Sequence, residues 1–381
     1  MNRRKFLTLV GGGIIIAAGS GYAATRTPTK ALAPWGQAGT YSDPRLNALS
    51  YAILAPNPHN RQPWTIELIG ADTVSIGFDA NRQLPHTDPF DRQLTIGMGC
   101  FLELMIMAAN ASGFAVDLEL FPDGEDDKEI SGKRVALARF ATSAAAKADP
   151  LFAHVLDRRS TKESHDMTKP VSTGALDKLI AAGQNNTRLG GTVDEQELIF
   201  WRKATTQAME IELDTPRTYK ESVDLMRIGK AEINANPDGI ELPGLMMDVM
   251  GATGLMTREA SLDTNSMAFK SGKDIVLAPL QTSMGFLWMT TPNNSRLSQI
   301  AAGRDWVRAN LAATSIGLAY HPNSQCLQEY AEMKTHYDDV HTRLAPEGGT
   351  VQMLIRIGYC APVGPTPRWP LETRIVGAKT G

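Results

Sequence analysis

The feature that most constrains this fold is the segment from Gly97 to Gly113, which is apolar on nearly every side of a helix. Its large side chains occupy almost consecutive positions: Phe101, Leu102, Leu104, Met105, Ile106 and Met107. A helix of this kind is buried all round, so the rest of the chain must pack around it. Gly113 is placed to end the helix. With 381 residues, 43% of them hydrophobic, the chain can build a large core.

The sequence at the C-terminal end of this helix is partly repeated later in the chain. Residues 108–115 match residues 312–319 at an offset of 204, and Gly99 and Gly303 keep that register. A shorter match, of residues 53–57 with residues 180–184, has an offset of 127. Because the two offsets differ by about 77, a second copy would carry an insertion of that size, and residues 215–273 are the candidate. Alanine-rich helices that end in glycine also agree by chance, and both explanations remain open on these residues.

The segments around the first long helix predict a mixed helix and strand fold. Residues 44–55 have helical periodicity, and residues 64–69 and 73–78 are strand-like with a tight turn at 70–72 between them. Two further segments, 115–120 and 135–140, alternate as strands do. The fold class predicted is α+β, with a mixed antiparallel sheet flanked by helices and two degenerate copies in one chain.

The first 24 residues form a predicted export signal. Arg3, Arg4 and Lys5 precede an apolar run that is too short for a comfortable membrane span. The paired arginines resemble a twin-arginine signal, although Asn2 and Thr8 depart from its usual pattern. That resemblance implies export of a folded, cofactor-loaded protein to the periplasm by the twin-arginine machinery. The alternative is a cytosolic protein with a basic N-terminal helix. Residues 25–43 are expected to be a linker.

Charge and cysteine content exclude several classes of function. The net charge of -3 gives no reason to expect a nucleic-acid partner. Three cysteines, with no Cys-x-x-Cys, argue against a disulfide framework and a structural zinc site. We therefore expect no bound metal and no membrane span beyond an uncleaved signal.

Four segments carry side chains suited to binding a small molecule. The first contains Asn57, His59, Asn60 and Gln62 between prolines, where amides suit the edge of a flat heterocycle. The second holds Arg158, Arg159, Ser160, Thr161 and Lys162, which suit a phosphate. The third includes His321 within residues 320–325, and the fourth is a buried strand at 353–359 followed by an extended arm with Arg368. Taken separately, the first is also typical of a Pro/Asn turn and the second of a solvated helix end.

Together these segments resemble the nitroreductase family of flavin mononucleotide (FMN) proteins, over about residues 44–376. That resemblance implies that Arg158 and Arg159, helped by Ser160 and Thr161, hold the phosphate and ribityl chain, and that Arg368 reaches the phosphate. It implies that Asn57, His59, Asn60 and Gln62 approach the isoalloxazine ring or the ribityl hydroxyls. His321 is a further predicted cofactor contact.

The order of the motifs is unusual for that family, in which two subunits share each FMN. Here the Gln-Pro-Trp loop lies in a first half, 44–150, and the Arg-Arg segment begins a second half, 151–381. This order resembles a dimer fused into one chain, with one flavin, a lid formed by 215–273, and no need for a second copy.

Two functions fit these observations, and both involve FMN. The first is an exported oxidoreductase that passes electrons from a small-molecule donor to a nitroaromatic, quinone or similar acceptor, with no protein acid or base assigned. The second is a non-catalytic protein that binds and stores FMN under a lid, since NAD(P)H is scarce outside the cytoplasm. An inert structural descendant is a third interpretation, against which the retained motifs argue.

Overall fold

The computed structural model describes residues 27–377 except 127, 129 and 131. The predicted export signal lies outside the described residues. Within them, helices and antiparallel sheets combine into an α+β fold, as predicted.

Residues 27–180 contain four α-helices and four strands. These elements are α1 (Thr29–Gln37), α2 (Pro44–Ala52), β1 (Trp64–Ile69), β2 (Thr73–Phe78), α3 (Arg92–Ala111), β3 (Phe114–Leu120), β4 (Arg134–Thr142) and, in the second half, α4 (Thr173–Ile180). The strands form an antiparallel sheet in the order β1-β2-β4-β3. The predicted hairpin is confirmed, since Ile69 pairs with Thr73 across its turn.

The remaining elements form a second sheet and the segment that interrupts it. They are β5 (Arg188–Thr192), α5 (Glu195–Asp214), α6 (Pro216–Asp224), β6 (Met226–Ile228), α7 (Gly229–Ala235), β7 (Ile240–Leu242), α8 (Leu245–Ala252), α9 (Arg258–Leu262), α10 (Met267–Leu277), β8 (Gly285–Thr291), α11 (Arg296–Ser315), β9 (Ala319–Pro322), α12 (Lys334–Leu344) and β10 (Thr350–Gly358). The antiparallel order is β5-β8-β10-β9.

The two sheets share one sequence of elements. In each, a short helix is followed by two strands, a long helix and two more strands, and the last strand lies inside the sheet. The principal difference is the connection between the first two strands. A tight turn joins β1 to β2, whereas a long segment, from α5 to α10, separates β5 from β8. This segment is longer than the predicted insertion 215–273, because α5 also lies in it.

The long helices α3 and α11 pack against each other through a reciprocal contact. A Cβ on Gly99 would overlap the Ile300 carbonyl oxygen and lie 2.9 Å from the Gly303 Cα. A Cβ on Gly303 would likewise overlap the Ile96 carbonyl oxygen and lie 2.9 Å from the Gly99 Cα. The two backbones therefore touch at a point that only glycine permits on both sides.

A buried arginine at the start of each of these helices contacts the opposite half, so this contact is reciprocal too. Arg92 in α3 donates to the carbonyl oxygens of Leu327 and Gln352, each at 2.7 Å, in the second half. Arg296 in α11 donates to the carbonyl oxygen of Phe90 at 2.7 Å, in the first half. Each helix is thus anchored at its N-terminal end in the opposite half.

Helix α3 is a core element rather than a candidate for the membrane. It is the one helix among the described residues that is long and apolar enough to cross a bilayer, and 83% of its most apolar stretch is buried inside the protein. Its C-terminal end follows the prediction, because Gly113 adopts a left-handed φ of 82°.

The segment predicted as a linker contains a packed helix. Residues 25–43, expected to be a linker, contain α1. Trp35 of α1 is buried, and its indole Nε1 donates to the Thr366 carbonyl oxygen at 2.8 Å. The physical reason is long-range packing, since α1 is held by the C-terminal arm, which a local reading of its prolines and glycines does not reveal.

The Gly303 contact predicts a large effect for a small substitution. Gly303→Ala should lower the free energy of unfolding by about 1–3 kcal/mol, because the new methyl group forces two helix backbones apart. Gly174→Ala is the matched control, since its Cβ would meet nothing within 4 Å. Denaturant unfolding of both variants measures the difference. Equal stabilities would show that the helices do not touch at this point.

Candidate functional site

The candidate site begins with the loop between α2 and β1. His59, Asn60 and Gln62 adopt left-handed φ values of 47°, 50° and 50°. Such values are uncommon for residues other than glycine, so surrounding bonds must hold them. Asn57 supplies two: its Oδ1 accepts from the Gln62 backbone N–H at 2.7 Å, and its Nδ2 donates to the Ala55 carbonyl oxygen at 3.1 Å. The Asn57 side chain therefore shapes the loop.

Gln62 is fully buried and is also bound to protein. Its Nε2 donates to the carbonyl oxygens of Pro237, at 2.7 Å, and Asn60, at 3.3 Å. Its Oε1 accepts from the Trp369 backbone N–H at 2.9 Å. Both amide hydrogens are thus in use, and Gln62 joins the loop to the 215–273 segment and to the C-terminal arm.

Two buried arginines meet at one carbonyl group. Arg158 and Arg368 each expose only 2% of their surface, and both donate to the Leu54 carbonyl oxygen, at 3.0 and 3.1 Å. Arg158 also donates to Asn310 Oδ1 at 3.1 Å, and Arg368 to Asn60 Oδ1 at 2.8 Å. The structure thus unites the second, fourth and first predicted segments.

This arginine pair has no bonded carboxylate within the described part of the chain. The Nε atoms of both guanidiniums are buried without a hydrogen-bond partner. Burial, followed by the charge of Arg368, lowers the pKa of Arg158 to about 9, and burial lowers the pKa of Arg368 to about 10. Two like charges in a buried site are costly unless an anion joins them. The site is therefore chemically suited to an anion.

Arg159 lies beside the pair but points elsewhere. Its guanidinium stacks on Trp35 at 4.8 Å from the ring centroid and donates to the carbonyl oxygens of Leu156 and Arg158, each at 2.8 Å. Arg368 is 5.7 Å from the same ring. Both cations thus lie near the Trp35 ring, and Arg159 remains half-buried near the site.

The next residues run along the edge of the second sheet. The Thr161 backbone N–H donates to the Tyr320 carbonyl oxygen at 3.0 Å. This places Lys162, which is exposed, and His321 close together, and the charge of Lys162 contributes to lowering the pKa of His321. Ser160 is half-buried in the same strip. His59 also lies near Lys162, and burial lowers its pKa to about 4.

The 215–273 segment is fastened to the loop by several polar contacts. His59 Nε2 lies 2.9 Å from Ser222 Oγ, and the Gly239 N–H donates to the Asn60 carbonyl oxygen at 3.4 Å. Asp238 of the segment accepts from Arg82 of the first half at 2.8 Å, and also from Arg227 of the segment itself at 2.8 Å. The segment therefore covers the loop of the first half.

One acidic residue of this segment approaches the cationic site. Glu241 lies on β7, two residues after Gly239. Its Oε2 is buried without a hydrogen-bond partner. Burial raises its pKa to about 7, while the charges of Lys162 and Arg368 act in the opposite direction.

Three residues of the site were missed at the sequence level: Trp35, Asn310 and Glu241. Asn310 gave a usable signal, because it is a polar residue within a largely buried helix, where polar groups need a specific partner. Its Nδ2 donates to the Arg159 carbonyl oxygen at 3.1 Å. Trp35 was missed because residues 25–43 were predicted to be a linker. Glu241 was missed because its position near the site depends on how the 215–273 segment folds back.

A comparison by sequence agrees with the family suggested by the motifs. No model of a protein family matches the chain. It is 25% identical, over 85% of its length and 91% of the relative, to a Mycobacterium tuberculosis protein provisionally named an NAD(P)H nitroreductase. A solved structure from Anabaena variabilis, provisionally described as a nitroreductase, is 10% identical with a TM-score of 0.43 and covers 83% of this chain and 88% of that one.

A second solved structure is a nitroreductase with bound FMN from Bacteroides fragilis. It is 12% identical, has a TM-score of 0.34, and covers 61% of this chain and 97% of its own. The similarity in sequence to the M. tuberculosis relative, which extends along nearly the whole of both chains, supports the nitroreductase family for this protein.

Proposed function

We propose that this protein is an FMN-dependent oxidoreductase. The observation that carries the proposal is the buried pair Arg158 and Arg368, which share a carbonyl oxygen and have no bonded carboxylate among the described residues. Arginine forks match phosphate oxygens bidentately, and FMN ends in a phosphate. The M. tuberculosis relative, named as an NAD(P)H nitroreductase, supports the same chemistry.

The residues present fit FMN at both of its ends. The two unpartnered Nε atoms are the donors that we assign to the phosphate, and Ser160 follows Arg159 in the same segment. The strip formed by His59, Lys162 and His321 continues from this cationic end and offers polar groups for the flavin ring. When bound, FMN supplies hydride or electron transfer, and the chain's own residues hold, orient and cover it.

We also propose that the chain is a fused dimer with one cofactor site. The matching order of elements and the reciprocal glycine contact support this, because a two-fold interface brings the same residues together twice. At the equivalent loop of the second half, a carboxylate takes the place of an anion site. Buried Asp305 accepts from the backbone N–H groups of Gln184, at 2.7 Å, and Asn185, at 3.0 Å.

Storage of FMN without turnover is a second candidate. It is favoured by the contacts that fasten the 215–273 segment over the loop, including the Asp238 cluster. A cover of this kind would act as a lid that keeps an electron donor from the flavin ring.

Export of the folded protein is proposed on the twin-arginine resemblance alone. Cofactor insertion before export is the physical reason for such a route, and it would place the protein in the periplasm. Fractionation of cells that express Arg3→Lys with Arg4→Lys tests this, since unchanged export would contradict it.

Replacing the arginines should remove FMN without unfolding the chain. Arg158→Gln and Arg368→Gln should each weaken FMN binding about 10- to 100-fold, since a hydrogen bond to a charged group contributes about 1.5–3 kcal/mol. The empty variants should melt no lower than the empty wild type, because a buried repulsion is relieved. Flavin fluorescence quenching and thermal unfolding measure both effects, with exposed Arg188→Gln as the control. FMN retention by both variants would show that the phosphate lies elsewhere.

Reduction experiments separate the two candidate functions. In an oxidoreductase, NADPH and dithionite should both bleach the visible flavin absorbance, and NADPH should act faster on Asp238→Asn, in which the cover is loosened. Asp224→Asn, which removes only an exposed ion pair with Lys220, is the control. Bleaching by dithionite alone, in all three proteins, would assign FMN storage.

A further inference from the structure

A buried arginine in the second sheet contacts two imidazoles. No carboxylate among the described residues is bonded to it. Arg356 lies within β10 and is fully buried. Its Nε donates to His321 Nδ1 at 2.9 Å, and one terminal nitrogen lies 3.4 Å from His165 Nε2. The remaining hydrogens go to the carbonyl oxygens of Pro279, at 3.0 Å, Glu163, at 2.8 Å, and Thr161, at 3.3 Å.

These bonds determine where each histidine carries its hydrogen. A guanidinium is always a donor, so the ring nitrogen that faces it must be an acceptor. His321 must therefore be neutral with its hydrogen on Nε2. The longer contact favours a neutral His165 with its hydrogen on Nδ1, an atom that is buried without a hydrogen-bond partner. One arginine thus selects opposite tautomers in two neighbouring rings.

The free edge of His321 lies beside the candidate cofactor site. Its Nε2 has no hydrogen-bond partner in the described part of the chain and is not sealed from solvent. The Thr161 bond to Tyr320 brings Lys162 close to His321. The His321 Nε2–H is thus a donor without a protein partner beside this strip.

We propose that Arg356 is a positioning residue that fixes His321 as a neutral Nε2–H donor toward the bound cofactor. The part that concerns the cofactor rests on the proposed function, whereas the tautomer follows from the geometry alone. A donor held in this way keeps its hydrogen in one place and adds no charge beside Lys162.

The surroundings of both rings agree with this assignment. The charged and titratable groups that face His321 are Arg356, Lys162 and His165, and none of them is an acid. Burial and then Arg356 hold the pKa of His321 well below its usual range and lower that of His165 to about 3. Glu163 and Cys360 face Arg356 from the other side.

Nitrogen-15 NMR of the full chain labelled at histidine tests the tautomers without any cofactor. Between pH 5 and 8, the His321 signals should show a neutral ring protonated at Nε2, and those of His165 a neutral ring protonated at Nδ1. His321→Gln and His165→Gln identify the signals. A His321 ring that is protonated at Nδ1, or that titrates within this range, would overturn the proposal.

Substitution of Arg356 separates positioning from a merely structural role. In Arg356→Gln, His321 should mix tautomers and its pKa should rise, although burial still holds that pKa below the ordinary histidine value of about 6.5. Arg139→Gln, which removes an exposed strand arginine, should change neither ring. If Arg356→Gln does not fold, the wild-type spectra alone decide the tautomers.

Addition of FMN tests the direction of the donor. The His321 Nε2–H resonance should shift in wild type, and Arg368→Gln should need about 10- to 100-fold more FMN for the same shift. Flavin binding with no change at His321 would overturn its role toward the cofactor. Absence of flavin binding would contradict the proposed function while leaving the tautomer result intact.

Discussion

The packing of α3 against α11 is the contact on which the rest of the structure depends. Because Gly99 and Gly303 let the two backbones touch, each half can extend side chains into the other. Buried Glu103 of α3 reinforces the contact by accepting from Arg304, at 2.7 Å, and Arg308, at 2.9 Å, of α11. The Leu54 carbonyl oxygen of the first half then comes within reach of Arg158 in the second. Neither half contains this site alone.

The candidate site carries an excess of positive charge in a place that excludes water. Such an arrangement destabilises the empty protein, and only the binding of an anion offsets this cost. The fold keeps it by distributing the remaining donors over carbonyl oxygens and amides, as Arg158 does with Leu54 and Asn310. Under the proposed fused-dimer arrangement, Asp305 is the opposite solution at the second loop, where its carboxylate accepts from the Gln184 backbone N–H.

Local patterns in the sequence predicted most of the elements but few of the contacts. Strands 64–69 and 73–78 begin and end as predicted, because alternation and a turn signal are local properties. The helix expected from Gly97 begins earlier, at Arg92, where Asp88 accepts from the Gln93 and Leu94 backbone N–H groups. The motifs indicated the arginine pair. They did not indicate that Gln62 donates to the Pro237 carbonyl oxygen, because the two residues are far apart in the sequence.

The proposed function requires two fused halves and one composite FMN site in a single chain. Native mass spectrometry of the FMN-loaded protein tests this requirement, because it counts chains and cofactors in the same particle. A single chain should retain one FMN, with Asp305 occupying the second loop. Two FMN molecules on one chain, or FMN held only by a pair of chains, would contradict the proposal.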